Sequence, residues 1–242
     1  MTENDIAILI PARMGSTRFP NKPMTELGGL TLIARVIERC KETKLPVFVL
    51  TDDISIATEA VYYGAMPIME SDIPTDKPQN GTERCAYTVM YSEYLKPYNY
   101  FINVQGDMPD VTYEMIDALI DQEPIYNGNR RDVSTLYTDM AKDLQKDPNT
   151  VKCVVGKERI HWFGRGLRYG YHHLGVYAYT RKALETYSVL LSGRGEIAEN
   201  LEQLRWLEND YEIYGVYIND FNGIEINTPE DAKLWNTINE KN

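Results

Sequence analysis

Two groups of residues in this sequence have the composition of a site that handles phosphate. The first is the run PARMGSTRFPNKP, Pro11 to Pro23, which gathers Arg13, Arg18 and Lys22 around Gly15, Ser16 and Thr17. Three cations can neutralise a triphosphate, two hydroxyls can donate to its oxygens, and a glycine lets backbone amides approach closely. The second is VQGDMP, in which Gln105, Gly106 and Asp107 end an apolar stretch. A carboxylate in that position is placed to hold Mg²⁺ against phosphate oxygens, and the adjacent glycine permits close approach. The opening run fits neither GxxxxGK[ST] nor GxGxxG, which excludes a P-loop ATPase and weakens a dinucleotide-binding reading.

Three further groups are less specific. In NGTER, Gly81 and Thr82 lead into a helical pattern with Arg84 in its first turn. A cation there opposes the helix dipole, so Arg84 either has its own anionic or carbonyl partner or lies folded along the surface. In HHLGVYAY, His173, Tyr177 and Tyr179 fall on one strand face by period-two spacing, a set able to grip a polyhydroxylated acid. A buried tyrosine ladder would look the same in a chain with 18 tyrosines. In LEQLRWL, the spacing puts Leu201, Leu204 and Leu207 on a core stripe and leaves Glu202, Gln203 and Arg205 on the other faces of a surface helix.

These groups need a scaffold, and the hydrophobic periodicity supplies one. DIAILI reads as a buried strand followed by a helical stripe at Leu32, Ile33, Val36, Ile37 and Cys40. The alternation repeats with VFVL and ISIATEAVYYG, then with ERCAYTVMYSEYL, YFINVQ and TYEMIDALIDQ. It predicts an α/β fold with a mainly parallel sheet and helices on both faces, whose ligands sit beyond the carboxyl ends of the strands. Three loops fall at that edge: Pro11 to Pro23, Thr51 to Asp53, and Gln105 to Pro109. From about Asp132 the texture changes to shorter strands, VSTLY, VKCVVG, IHWF and LGVYAY, separated by polar turns. Two more helical stretches follow, GEIAENLEQLRWLEN and TPEDAKLWNTINEK, with the strand EIYGVYI between them. Thr228, Pro229, Glu230 and Asp231 form a clear start for the last helix.

Composition narrows the partners. With 25 basic and 36 acidic residues the chain carries a formal net charge of −11, the wrong sign for a nucleic-acid binder. No apolar stretch approaches the roughly 20 residues of a membrane span, and MTENDIAILIPAR lacks a basic leader, so a cytoplasmic protein without membrane contact is expected. Cys40, Cys85 and Cys153 are odd in number and contain no CxxC pair, which suggests neither a disulfide framework nor a zinc site.

Taken in order, IPARMGSTRFPNKP, TDD, NGTER, NVQGDMP, DPNTVKCVV, HHLGVYAY, LEQLRWL and INTPEDA resemble the sugar-acid cytidylyltransferases, most closely those acting on 3-deoxy-manno-octulosonate. The resemblance runs from Ile6 to about Leu234. It implies a Rossmann-like nucleotidyltransferase fold with a mostly parallel central sheet and a smaller lobe or dimerisation extension. The expected organisation is one domain over residues 1–242, nucleotide-binding to about residue 131 and sugar-acid-binding and dimerising beyond. It further implies a homodimer and Mg²⁺-dependent transfer of CMP from CTP to the sugar acid's anomeric hydroxyl, releasing pyrophosphate. By this resemblance Ala12, Arg13, Ser16, Thr17, Arg18, Lys22, Gly81, Thr82 and Arg84 face the nucleotide, with Arg13, Lys22 and Asp107 catalytic. Gln105, His173, Tyr177, Glu202 and Gln203 face the sugar acid, and Asp107 and Asn227 the metal. The sugar's carboxylate needs a cation, Arg165 or Arg168, and the sequence leaves that choice open.

Several positions depart from the family pattern. Asn227 stands where the family has an aspartate that is its second magnesium ligand, and an amide brings no charge, so Mg²⁺ affinity is expected to weaken. Met108 replaces a usual glutamate, Asn80 a usual serine and Asn21 a common glycine. WFGRGLRYGYHHLGVY lacks a longer segment that helps form the family's sugar pocket. Two alternatives therefore stay beside the main reading: a related sugar acid, amino-substituted or sialic-acid-like, and a catalytically weakened nucleotide-binding homologue.

Overall fold

The computed structural model describes residues 5–15, 19–122 and 131–239. Strand β1 (Ile6–Ala12) is buried along its whole length and alternates between two cores, with Ile6, Ile8 and Ile10 on one face and Ala7 and Leu9 on the other. A small hairpin, β2 (Glu26–Leu27) and β3 (Leu30–Thr31), precedes α1 (Leu32–Lys41), whose first turn is capped by Thr31. Strand β4 (Val47–Thr51), helix α2 (Ile54–Tyr62), strand β5 (Met66–Met69), helix α3 (Gly81–Tyr91), strand β6 (Tyr100–Val104) and helix α4 (Tyr113–Ile120) complete the first half. The second half contains β7 (Val133–Thr138), β8 (Lys152–Gly156), β9 (Arg159–Gly164), β10 (Tyr171–Thr180), α5 (Arg181–Tyr187), α6 (Arg194–Glu199), α7 (Leu204–Glu208), β11 (Ile213–Tyr217) and α8 (Pro229–Asn239).

Among the described residues nine strands form one sheet in the order β5-β4-β1-β6-β10-β7-β11-β9-β8. The expectation of a mostly parallel sheet holds only for β5-β4-β1-β6. Strand β10 runs antiparallel to both β6 and β7, β11 is parallel to β7, and β9 and β8 close the far edge antiparallel. The sheet is mixed for a physical reason. Parallel neighbours need a crossover of a dozen or more residues, usually a helix, and no α-helix lies among the described residues between β7 and β10.

The helices cover both faces. Residues of α1, α2, α4 and α8 pack on one core, and those of α3, α5 and α7 on the other. All three cysteines are buried, and burial raises their thiol pKa values, as expected for packing residues. No helix among the described residues is long and apolar enough to cross a membrane.

The continuous helix expected across residues 195–209 is broken. Asn200 adopts a left-handed conformation (φ +52°), which ends α6 and sends residues 201–203 across to a new start at Leu204. Arg205, far from lying on a surface face, is buried at 4% exposure. Its Nε and Nη2 donate to the two oxygens of Glu196 at 2.8 and 2.7 Å, and Nη1 donates to Glu83 at 2.7 Å. Glu83 in turn accepts the Gln79 amide at 2.7 Å. One guanidinium thus ties α6 and α7 to the first turn of α3 and the loop before it. Replacing Arg205 by Leu leaves two buried carboxylates without their cation, and urea unfolding is expected to show a loss of about 3–5 kcal/mol.

Candidate functional site

The parallel register of β1 with β4 and β6 pairs Ala12 with Thr51 and Leu9 with Asn103, so the three loops anticipated at the carboxyl edge emerge side by side. They are tied together. The Met14 amide donates to Asp52 at 3.1 Å, and the Lys22 ammonium donates to Asp107 at 2.7 Å. Lys22 opens a 3₁₀ turn that follows Asn21, which sits at φ +58°. Asparagine tolerates that conformation better than most residues, which accounts for its standing where the family often has glycine. Gly106 lies against the opening loop so closely that a Cβ there would stand 3.1 Å from the Pro11 carbonyl oxygen.

The second wall comes from β10 and the broken helix. Strand β10 pairs with β6 on one side, and against β7 it carries a bulge between Leu174 and Tyr177. Three residues of β10 span one step of β7, and the two extra residues keep His173, Tyr177 and Tyr179 on one face. The rings of His173 and Tyr177 are 5.4 Å apart, and Tyr177 stacks on Tyr179 at 5.6 Å. Glycine at 175 is required by close approach: a Cβ would lie 3.2 Å from Cγ of Gln105.

Between the walls lies a cleft of about 420 Å³ whose lining includes Arg13, Gln105, Asp107, His173, Glu202 and Glu225. Gly81, Tyr177 and Gln203 line it as well, so most of the described residues proposed from sequence converge here, while Lys22 is joined to it through Asp107. Ala12 is buried at the end of β1, beneath the Gly106 loop. Thr82 is buried and serves Glu202: its hydroxyl donates at 2.9 Å and its amide at 3.3 Å. Burial raises the Glu202 carboxyl, and hydrogen bonds from Thr82 and Gly81 pull it back. Ser16, Thr17 and Arg18 lie outside the described residues.

Two proposed residues are placed elsewhere. Of the two outcomes left open for Arg84, the structure shows a specific anionic partner, and that partner is internal: its Nε donates to Glu70 at 2.9 Å and its Nη2 to the same oxygen. The pair lines a separate cavity of about 220 Å³. Asn227 faces a neighbouring cavity of about 320 Å³, which shares Glu225 with the main cleft. The other departures have local explanations. Asn80 caps α3, accepting the Glu83 amide at 2.8 Å as a serine could. Met108 is buried in the first core, where its apolar side chain suits the surroundings.

The short connection between β9 and β10 puts Arg165 on the cleft wall and leaves Arg168 exposed outside it. Buried Lys152 clamps this connection from below, with Nζ donating to the carbonyls of Asp147, Thr150 and Arg165 at 2.8 to 3.1 Å. The guanidinium of Arg165 donates to the Glu199 carbonyl at 2.8 Å. Sequence reasoning missed Lys152, Asp52 and Glu225. The one available signal for Glu225 was the alternation of polar and apolar residues in IEIN just before the last helix.

Glu225 is half-buried beside Asp107. Burial, and next the Asp107 charge, push its carboxyl up to about 7 against the opposing effects of Lys22, the Asn227 side chain and the Gly175 amide. Among the described residues no three His, Cys, Asp or Glu side chains are grouped as a metal-binding trio. The two carboxylates of Asp107 and Glu225 line one cleft and are oxygen donors of the kind a hard dication takes beside waters and substrate phosphate oxygens, so these residues fit Mg²⁺.

Comparison with known proteins gives this geometry a context. Residues 7–213 match the family described as "Cytidylyltransferase". Among curated relatives, a 3-deoxy-manno-octulosonate cytidylyltransferase from Bartonella bacilliformis is 39% identical over 218 residues, covering 85% of this chain and 87% of the relative. An 8-amino-3,8-dideoxy-manno-octulosonate cytidylyltransferase from Shewanella pealeana is 34% identical over 243 residues, covering 95% and 96%. Among solved structures, CMP:2-keto-3-deoxy-manno-octonic acid synthetase complexed with CTP superposes with a TM-score of 0.81 at 27% identity, covering 98% of each chain.

His173 offers a ligand-free check on the cleft. It is buried, its Nε2 lies 3.0 Å from the Thr135 hydroxyl, and burial followed by the His172 charge lowers its pKa to about 3. The unfolded chain therefore binds the proton first, and stability falls as pH drops below the ordinary histidine value. Between pH 6 and 5, His173→Gln is expected to reduce that slope by up to about 1.4 kcal/mol per pH unit in urea titrations.

Proposed function

The chain belongs to the cytidylyltransferase family, and we propose that it transfers CMP from CTP to the anomeric hydroxyl of 3-deoxy-manno-octulosonate, with Mg²⁺, releasing pyrophosphate. The observation that carries this reading is the division of labour across one cleft. Arg13 and Asp107, the latter paired with Lys22, stand on one wall, and neutral or acidic hydrogen-bonding groups, His173, Tyr177, Glu202 and Gln203, stand on the other. The first wall suits polyphosphate; the second suits sugar hydroxyls.

In this reaction the sugar hydroxyl oxygen bonds to the α-phosphorus as the bond from that phosphorus to the bridging oxygen breaks. Pyrophosphate leaves, and the hydroxyl proton passes to water. Arg13 and Lys22 neutralise charge on the triphosphate, and the contact between Gly106 and Pro11 holds the two phosphate-facing loops in register. When bound on Asp107, the magnesium ion would neutralise further phosphate charge and orient the leaving group. Gln105, pinned beside Gly175, and neutral His173 position the sugar by hydrogen bonds. With its pKa at about 3, His173 stays uncharged at neutral pH and orients the substrate without acting as an acid. Arg165 is the cation for the sugar's carboxylate, since Arg168 lies outside the cleft.

The relative from Shewanella supports a second reading, in which the acceptor is the 8-amino sugar. Pyrophosphate release from CTP with each acid in turn, beside N-acetylneuraminate and a no-sugar control, separates the two. Release with 3-deoxy-manno-octulosonate is expected, and Asp107→Ala is expected to slow it by roughly 10²–10³-fold. Silence with every acid would overturn the reading, as would near-normal turnover by Asp107→Ala. Arg165→Ala is expected to raise KM for the sugar acid about tenfold or more while leaving KM for CTP in place, a pattern that Arg168→Ala should not show.

A further inference from the structure

The family resemblance puts an aspartate where this chain has Asn227, so the site would be short of one negative charge if nothing replaced it. Two residues earlier stands Glu225. Ile226 between them is fully buried, and its amide donates to the Asp107 carbonyl at 2.9 Å, which holds this segment alongside the Asp107 loop. The flanking side chains of Glu225 and Asn227 are consequently turned the other way, toward the two cavities. Of the two, Glu225 reaches the main cleft with Asp107 and Gln105, whereas Asn227 opens on the adjoining cavity. Gly175 of the β10 bulge lines the same cleft, so the carboxylate shares it with Asp107 and with β10.

We propose that Glu225 carries the second metal-facing carboxylate of this site, replacing the one absent at residue 227. The charge of the site is then conserved although its residue is not. A glutamate two positions earlier reaches the cleft from the opposite side of buried Ile226, and its longer side chain spans the added distance. The amide at 227 follows from the same arrangement. A third carboxylate beside Asp107 and Glu225 would repel both, whereas an amide brings no charge.

This inference rests on the CTP reading, and its test is a binding measurement. The probe is Mn²⁺ added to the protein saturated with CTP, without sugar acid, followed by water-proton relaxation, which separates protein-bound ions from those held by free nucleotide. Glu225→Gln, close in size, is expected to weaken Mn²⁺ binding by about 100-fold, comparably to Asp107→Asn. The double variant Glu225→Gln with Asn227→Asp, which moves the carboxylate to the family's position, is expected to recover to within about tenfold of the parent. Thermal melts of each variant verify folding. Mn²⁺ affinity of Glu225→Gln within about threefold of the parent would overturn the proposal, as would failure of the double variant to recover where Glu225→Gln is folded and impaired. If Glu225→Gln does not fold, the double variant decides alone. Failure of the catalytic reading is distinct, since it shows as absence of pyrophosphate release while the Mn²⁺ comparison stands.

Discussion

The cleft depends on one buried cation. Arg205 bonds Glu196 through two nitrogens and Glu83 through a third, and so joins the segments after residue 194 to the start of α3. Desolvating three charges is costly, and complete pairing of the guanidinium offsets that cost while fixing the partners in direction as well as distance. Tyr187 packs on the guanidinium at 4.5 Å and donates its hydroxyl to the Glu202 carbonyl at 3.0 Å. The backbone around Glu202 and Gln203 is held by that framework, and one wall of the cleft is built on it.

The other wall is organised by a different constraint, the strand register. Side-by-side parallel β4, β1 and β6 deliver three loops to one edge, and Asp52 and Asp107 then fasten the opening loop from both sides. The seam between the walls is the pairing of β6 with antiparallel β10, which puts Gln105 beside Gly175. A side chain at either Gly106 or Gly175 would separate surfaces that must touch. In this chain the absence of Cβ atoms at the seam is as specific as any functional group.

The second half of the chain shows why a mixed sheet serves this purpose. Strand β10 enters between β6 and β7, so a residue from after the middle of the chain reaches the centre of the sheet. His173 and Tyr177 are then in the same cleft as Gln105, which follows β6. The same strand's bulge carries Gly175, which lines the cleft together with Glu225 of the segment before α8.

Much of this was determined by the sequence. The alternation of apolar runs with period-3.6 stripes specified the layered α/β architecture, because burial of a sheet face and of a helix stripe leaves few other solutions. The ordered motifs were enough to identify the family and the loops that gather at one edge of the sheet, and the spacing of His173, Tyr177 and Tyr179 survived a two-residue bulge because an even insertion preserves the side-chain phase. Tertiary structure alone decided which strands run antiparallel, since direction follows from connection lengths and pairing partners far apart in the chain. It also decided that Arg84 and Arg205 serve internal carboxylates, and that helical periodicity stops at left-handed Asn200. Glu225 was invisible as a site residue for the same reason: its meaning lies in being beside Asp107, 118 positions earlier, and proximity of that kind is created only by folding.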